Sequence, residues 1–378
     1  MKILQVVTLV SPDGAYGGPV RVAVNQLREL QRLGHDVELV AGCRGFGAST
    51  PTSIDGVRVR LFEVWQPLPR LGYAGLSAQG LSKYVRNRLS EVDVVHVHLA
   101  RDLITMPVAA AVAKSTTPLI LQTHGMILKP RNLQGRVFDT VLTKQVLRKA
   151  ALTLTLTAAE ASNIAEVAGP DLRLEAIANG VPSPAVKQAA PTTLNVLFLA
   201  RLHERKRPLM FVQMAKQLID EGFDVTFSIV GPDEGEAPSV TRFIELHGLG
   251  NRIVWEGALA PEDTLSRIAE CSIYVLPSIG EVFPMSVLEA MSIGRPVVIT
   301  SSNGLAESLA TAGAALVADE SLDGLVDATR SLLLSQELRE TLSRKALAEV
   351  ALRYSIENVA RQLAQIYTRF AQMSRSHS

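Results

Sequence analysis

The chain of 378 residues has little with which to staple or metallate a fold. Its two cysteines, Cys43 and Cys271, lie in different halves. This excludes a disulfide framework and any Cys-based metal spacing, and it suits a reducing compartment. No apolar run is long enough to span a bilayer. The strand-like start Lys2-Ile3-Leu4-Gln5-Val6-Val7 lacks the small-residue cleavage site of a signal peptide, so a cytoplasmic location is expected. The first strand-to-helix turn is rich in glycine but is not G-x-G-x-x-G. The second strand, Val37 to Ala41, runs into Gly42 without the acid that a dinucleotide ribose needs, which argues against a nicotinamide cofactor. Net charge is only +1, and no nucleic-acid partner is expected.

With 47% hydrophobic residues, the chain is too long for one typical core and predicts two domains. Strand-like and helix-like segments alternate almost without a break, the pattern of parallel sheets covered on both faces. Strands are predicted at Ile3–Leu9, Val37–Ala41, Val57–Phe62, Val92–His98, Leu119–Thr123 and Leu152–Leu156, with a helix from Val20 to Leu33. The Asn179-Gly180 pair marks a turn, and Ser183 to Thr193, rich in Pro and Ala, reads as a linker. A second set of strands follows at Val196–Leu199, Val225–Val230, Ile253–Trp255, Ile273–Leu276 and Val297–Thr300, and Tyr354 is expected to open a last amphipathic helix. The boundaries read as 1–190 and 191–354, with 355–378 as the closing helix. Residues 1–190 hold 21 Lys and Arg against 14 Asp and Glu, a net +7, whereas 191–378 are net −6. The basic half suits an anionic acceptor or peripheral contact with the inner face of a membrane, with ordinary surface scatter as the alternative. The aromatic, proline-broken stretch Trp65–Tyr73 and the basic helix bearing Lys83, Arg86 and Arg88 are the candidates for such contact.

The most informative stretch is Pro277-Ser278-Ile279-Gly280-Glu281-Val282-Phe283-Pro284-Met285-Ser286-Val287-Leu288-Glu289-Ala290-Met291, followed by Gly294-Arg295-Pro296-Val297-Val298. A buried strand leads through a turn into a helix expected to start at Pro284, where a missing N–H costs nothing. Glu281 sits on the turn and Glu289 about one and a half turns inside the helix. Two acids therefore flank a helix N-terminus whose free N–H groups suit a phosphate or polar ligand.

This E-x7-E pattern, set in E-V-F-P-M-S-V-L-E-A-M…G-R-P-V-V, resembles the signature of family 4 glycosyltransferases, retaining enzymes that use nucleotide-sugars. The resemblance runs through nearly the whole chain and is sharpest in residues 201–300. It implies an α/β fold of two Rossmann-like domains facing each other across a cleft (GT-B). The N-terminal domain would bind the acceptor, with the last helix packed back on it, and the C-terminal domain would bind the donor. Glu281 would hold hydroxyls of the donor sugar and Glu289 the nucleotide ribose, with Phe283, Pro284 and Met285 lining the turn between them. Pro284 departs from the Gly that many relatives carry after the Phe. Arg201 and Lys206, on the loop after the first strand of the second domain, would clasp the donor diphosphate. Fixed cations stabilise the charge that grows on a diphosphate as it leaves. Gly17 and Gly18 would lie over the same diphosphate. His124, at the carboxyl end of a buried strand, would sit close to the transferred sugar. Gly231 and Leu259 would lie beside the nucleobase. His96 and His98 read as structural.

Together these readings predict a hexosyl-transferring enzyme moving a sugar from a UDP- or GDP-linked donor to a carbohydrate or lipid-linked acceptor. The α configuration would be kept, in polysaccharide or glycolipid biosynthesis. No carboxylate is placed as a nucleophile on the sugar's far face and no Asp-x-Asp ends a donor-side strand, so no metal and no further cofactor are expected. The rival readings are a sugar-nucleotide epimerase of the same plan and a non-catalytic sugar-nucleotide-binding protein.

Overall fold

The structure is a computed structural model that describes residues 1–376 apart from 13–16, 48, 131–132 and 184–192. It divides into two compact units, one formed by Met1–Gly180 with Ile356–Ser378, the other by Val181–Ser355. The segment read as a linker, Ser183 to Thr193, lies outside the described residues except for its two ends.

The first unit is built on strands β1 (Lys2–Val10), β2 (Asp36–Cys43), β3 (Ser53–Ile54), β4 (Val57–Trp65), β5 (Ser77–Ala78), β6 (Val94–His98), β7 (Leu119–Gln122), β8 (Leu152–Thr155) and β9 (Leu174–Ala176). They lie in the order β3-β4-β2-β1-β6-β7-β8-β9, with β5 on β4. The neighbours from β4 to β9 are all parallel, and only the pairings of β4 with β3 and β5 are antiparallel. Beyond Lys2, every residue of β1 is buried, as a central strand covered on both faces requires.

Alternate residues face two separate cores. Ile3 and Val7 join Val24, Leu27, Leu363, Tyr367 and Phe370, beneath the Gly17–Arg32 and Ile356–Ser376 helices. Leu4 and Val6 join Val85, Val108, Leu147 and Ile164 on the opposite face. Gln5, His96 and Gln122 have the same parity as Ile3, Val94 and Ile120 and so fall on the first face, among apolar side chains.

Three sequence expectations shift. The first long helix runs from Gly17 to Arg32 rather than from Val20, so Gly17 and Gly18 form its first turn instead of a loop. Pro19 fits there because the N–H it lacks would have no partner in a first turn. The last helix starts at Ile356; Tyr354 instead closes the preceding π-helical turn, Val350–Tyr354. The helix after Glu281 starts at Met285, and Pro284 is its cap rather than its first residue.

The second unit carries β10 (Asn195–Leu199), β11 (Thr226–Val230), β12 (Ile253–Gly257), β13 (Ile273–Leu276), β14 (Val297–Thr300) and β15 (Leu316–Ala318). Their order is β12-β11-β10-β13-β14-β15 and every pairing is parallel. Strand order reverses between β10 and β13. In an open α/β sheet the loops leaving two such strands splay to opposite faces and open a crevice at their carboxyl ends. Those two loops carry Arg201 with Lys206, and Glu281.

Among the described residues no helix is long and apolar enough to cross a membrane.

Candidate active site

In the second unit the loops after β10, β13 and β14 are laced together. Lys206 Nζ donates to the Glu281 carboxylate, a contact between side chains that are both mostly buried. Beside it, Arg205 donates to Gly280 O at 2.6 Å, and Ile279 N donates back to Arg205 O at 2.8 Å. Arg205 thus ties the two loops. Gly280 N reaches Ser302 Oγ at 3.1 Å, and Gly304 N reaches Glu281 O at 2.7 Å. Arg201 is the more open cation, with 54% of its side chain exposed, and it pairs with Glu234 at 2.6 Å. Glu234, on the loop after β11, comes close through the β10–β11 pairing.

Gly231 shows why a side chain is excluded at the end of β11. Its φ is +148°, and a Cβ there would stand 1.9 Å from Ala200 O. The carbonyl of Gly231 accepts from Trp255 Nε1 at 3.0 Å, which fixes the turn from both sides. Leu259, past the end of β12, is half-buried.

The helix that follows Glu281 is Met285–Ser292, and its cap Pro284 has no side-chain hydrogen bond to offer. The first N–H groups of that helix are therefore without a side-chain cap. Phe283 packs edge-on against Tyr354 at 6.0 Å between ring centroids, and the Tyr354 hydroxyl lies 3.0 Å from Ser308 Oγ. Glu289 lies inside the helix and is 4% exposed. The two acids thus differ in setting: one is on the turn and paired with a lysine, the other is within the helix.

In the first unit His124 stands just past β7 with a left-handed φ of +49°. A non-glycine residue holds that conformation only where its surroundings enforce it. The enforcing group is Glu160, buried in the first turn of the Ala158–Ala168 helix. Its Oε1 accepts from Thr123 Oγ1 and from Gly125 N, both at 2.5 Å, on either side of His124, and its Oε2 accepts from Leu156 N at 2.6 Å.

The His124 ring meets His98, with His124 Nε2 2.7 Å from His98 Nδ1 and the ring planes 7° apart. His98 Nε2 lies 3.1 Å from Gln5 Oε1, and His96 Nδ1 lies 2.6 Å from the Tyr367 hydroxyl. Burial pushes His124 down to about 4 and His96 to about 3, and holds His98 well below the usual histidine range, so all three are neutral at pH 7. Sequence reasoning found His124 but left His98, Gln5 and Glu160 out of the site. The signal for His98 was its parity: it follows His96 by two on a strand, at the same end of the sheet as His124. Glu160, 35 residues beyond Gly125, gave none.

Gly17 and Gly18 open the Gly17–Arg32 helix behind β1, and at Gly18 the space a Cβ would fill is empty to 4 Å. Asp102 anchors the neighbouring loop after β6. It accepts from Thr8 Oγ1 at 2.6 Å and from the N–H groups of Ile104 and Thr105 at 2.8 and 2.6 Å, while burial pushes its carboxyl up.

The halves of the chain match two family descriptions, "Glycosyl transferase 4-like domain" over residues 17–180 and "Glycosyl transferases group 1" over residues 193–335. An α-D-kanosaminyltransferase of Streptomyces kanamyceticus is 28% identical over 271 residues, which is 66% of this chain and 70% of that one. Among solved structures, the sucrose-phosphate synthase of Thermosynechococcus elongatus superposes with a TM-score of 0.78 at 16% identity, covering 97% of this chain and 98% of that one. Anabaena HepE in complex with UDP superposes at 0.77 and 20%, covering 98% and 100%. Two Rossmann-like sheets of this order, parallel but for the short β3 and β5 pairings, and matched along both halves by these descriptions, make the chain a family 4 glycosyltransferase of the GT-B fold.

Proposed function

We propose that the enzyme moves a hexosyl group from a UDP- or GDP-sugar to a hydroxyl of a carbohydrate or lipid-linked acceptor with retention of the α configuration. The observation that carries this reading is the meeting of the β10 and β13 loops, where Lys206 and Glu281 touch at the sheet's switch point. A donor seated there would set its diphosphate between Arg201, Lys206 and the uncapped Met285–Ser292 helix, and its sugar against Glu281. Glu289 is then the residue for the ribose. HepE was solved with UDP, and the Streptomyces relative is named for α-D transfer, which suits such a donor and such an outcome.

Chemically, the glycosidic C–O bond to the diphosphate breaks as the acceptor oxygen approaches the same face of the sugar. The departing phosphate oxygen takes the acceptor's proton. Positive charge from Arg201 and Lys206 meets the negative charge that develops on the leaving group, the role that a divalent cation fills in other transferases. On this reading His124 is the first unit's candidate for the sugar side.

The test is a panel of UDP-, GDP- and ADP-sugars scored by thermal stabilisation. The stabilising donor is then incubated with acceptor candidates and the product anomer read by proton NMR. Transfer with an α product, at a rate unchanged by a chelator, is the expected result. A β product, or a product formed without any acceptor, would replace this reading with an inverting transferase or an epimerase.

A further inference from the structure

The buried polar ladder behind His124 has a direction, and the direction determines what His124 can offer. Gln5 Nε2 is committed to Gln26 Oε1 at 3.3 Å and to the Tyr367 hydroxyl at 3.2 Å, leaving its oxygen to face His98. The same sense runs on from Gln26 Nε2 to Gln122 Oε1 at 3.5 Å and from Gln122 Nε2 to Asn179 Oδ1 at 3.0 Å. A carbonyl oxygen only accepts, so His98 Nε2 carries the hydrogen. A neutral imidazole has one N–H, which makes His98 Nδ1 a lone pair. The nitrogen opposite it, His124 Nε2, is then the donor, and His124 Nδ1 is left bare. No described residue bonds to that Nδ1.

We infer that His98 is a positioning residue for sugar transfer: it holds the His124 ring nearly parallel to its own with the His124 hydrogen turned toward it, so that the nitrogen left for the substrate is an acceptor that selects a hydroxyl. The inference rests on the reading of His124 as a sugar-side residue. It adds that a sugar position presenting a hydroxyl is favoured over the same position as deoxy or O-methyl, since neither of those can donate to Nδ1.

The measurement uses the full chain labelled with 15N-histidine. Two-bond proton–nitrogen correlation spectra distinguish Nε2–H from Nδ1–H rings, and among the seven histidines the His124 set is the one lost in His124→Ala. The expected pattern is Nε2–H for His124 in the wild type. His98→Leu should mix the two tautomers and lower kcat on the order of 100-fold, with the donor KM changed far less. His98→Asn, whose Oδ1 can stand where Nδ1 stood, should restore the pattern and most of the rate. An Nδ1–H pattern in the wild type overturns the assignment. So does a His98→Leu variant that folds and turns over like the wild type. If instead His124→Ala transfers sugar at the normal rate, it is the placing of His124 at the sugar that fails, and the inference falls with it. The two failures are told apart by which variant stays active.

Discussion

Lys206 and Glu281 stand 75 residues apart in the chain, and their side chains meet because β10 and β13 are neighbours in the sheet. Each therefore holds the other's charge before any ligand arrives, and a donor has to be shared between them. Lys206→Ala should lower kcat/KM by roughly 100- to 1,000-fold, the usual loss when a group facing the developing charge is removed. Lys206→Arg should recover little, because a planar fork does not replace a point charge in so tight a pair. Steady-state kinetics decide this, and a loss under tenfold for the alanine variant would remove Lys206 from the leaving-group site.

Glu281 and Glu289 should separate kinetically. Glu281 lies on the turn, and the proposed seating of the donor puts the sugar against it, so Glu281→Ala is expected to cut kcat more than Glu289→Ala does. Glu289, inside the Met285–Ser292 helix, should show its effect mainly in the donor KM. Equal losses of kcat in both variants would undo the division of roles.

Glu160 accepts three hydrogen bonds around the His124 turn. Glu160→Gln turns one acceptor oxygen into a donor that faces other donors, at a cost of about 2–3 kcal/mol in stability. Because the turn holds His124 at a positive φ, activity should fall further than the lost stability explains at temperatures where the variant is fully folded. Denaturant melts paired with kinetics at one temperature would show this. A variant with normal activity and normal stability contradicts it.

Acid should weaken the fold through the histidines. His96, His98 and His124 are held neutral, with His96 at about 3 and His124 at about 4, whereas in the unfolded chain each titrates at its ordinary value of 6.5. Below that value the unfolded chain binds more protons than the folded one. Their contribution is thus complete above pH 6.5 and is lost as pH falls toward 4, with a slope of up to ~1.4 kcal/mol per pH unit for each group. The side chains that hydrogen-bond to the trio from outside it are Gln5 and Tyr367, neither of which carries a compensating negative charge. Urea midpoints measured between pH 7.5 and 4.5 should fall steadily, and His96→Gln should flatten the curve. A midpoint independent of pH across that window would contradict it.

Much of this architecture was legible in the chain. Strands such as Ile273–Leu276 and Val297–Thr300 are short apolar runs bounded by turn residues, and the structure places both at those residues. Edge strands were harder. Leu174–Ala176 and Leu316–Ala318 are three residues long, and partly exposed edges leave no continuous apolar run to read. Helix starts slipped where Gly or Pro stood nearby: Gly17 and Gly18 read as loop yet open a helix, whereas Pro284 read as a first helical residue and is the cap. Of the candidate site, the residues proposed to meet substrate carry motifs, whereas those that hold them do not. Glu160 reads as one more acid on a helix, and Gln5 as an interruption in a strand. Their purpose emerges only when distant segments are brought side by side, as His98 and His124 are.

The Ile356–Ser376 helix has a consequence for how the chain is made. It covers one face of a sheet whose first strand begins at Lys2, and Tyr367 closes over Gln5 and His96. A nascent chain that has emerged only to Ser355 already holds all six strands of the second unit, yet its earliest strands still lack their lid. Synthesis therefore hands the ribosome's first product a long wait with apolar surface uncovered, and the later half is positioned to mature before the earlier one.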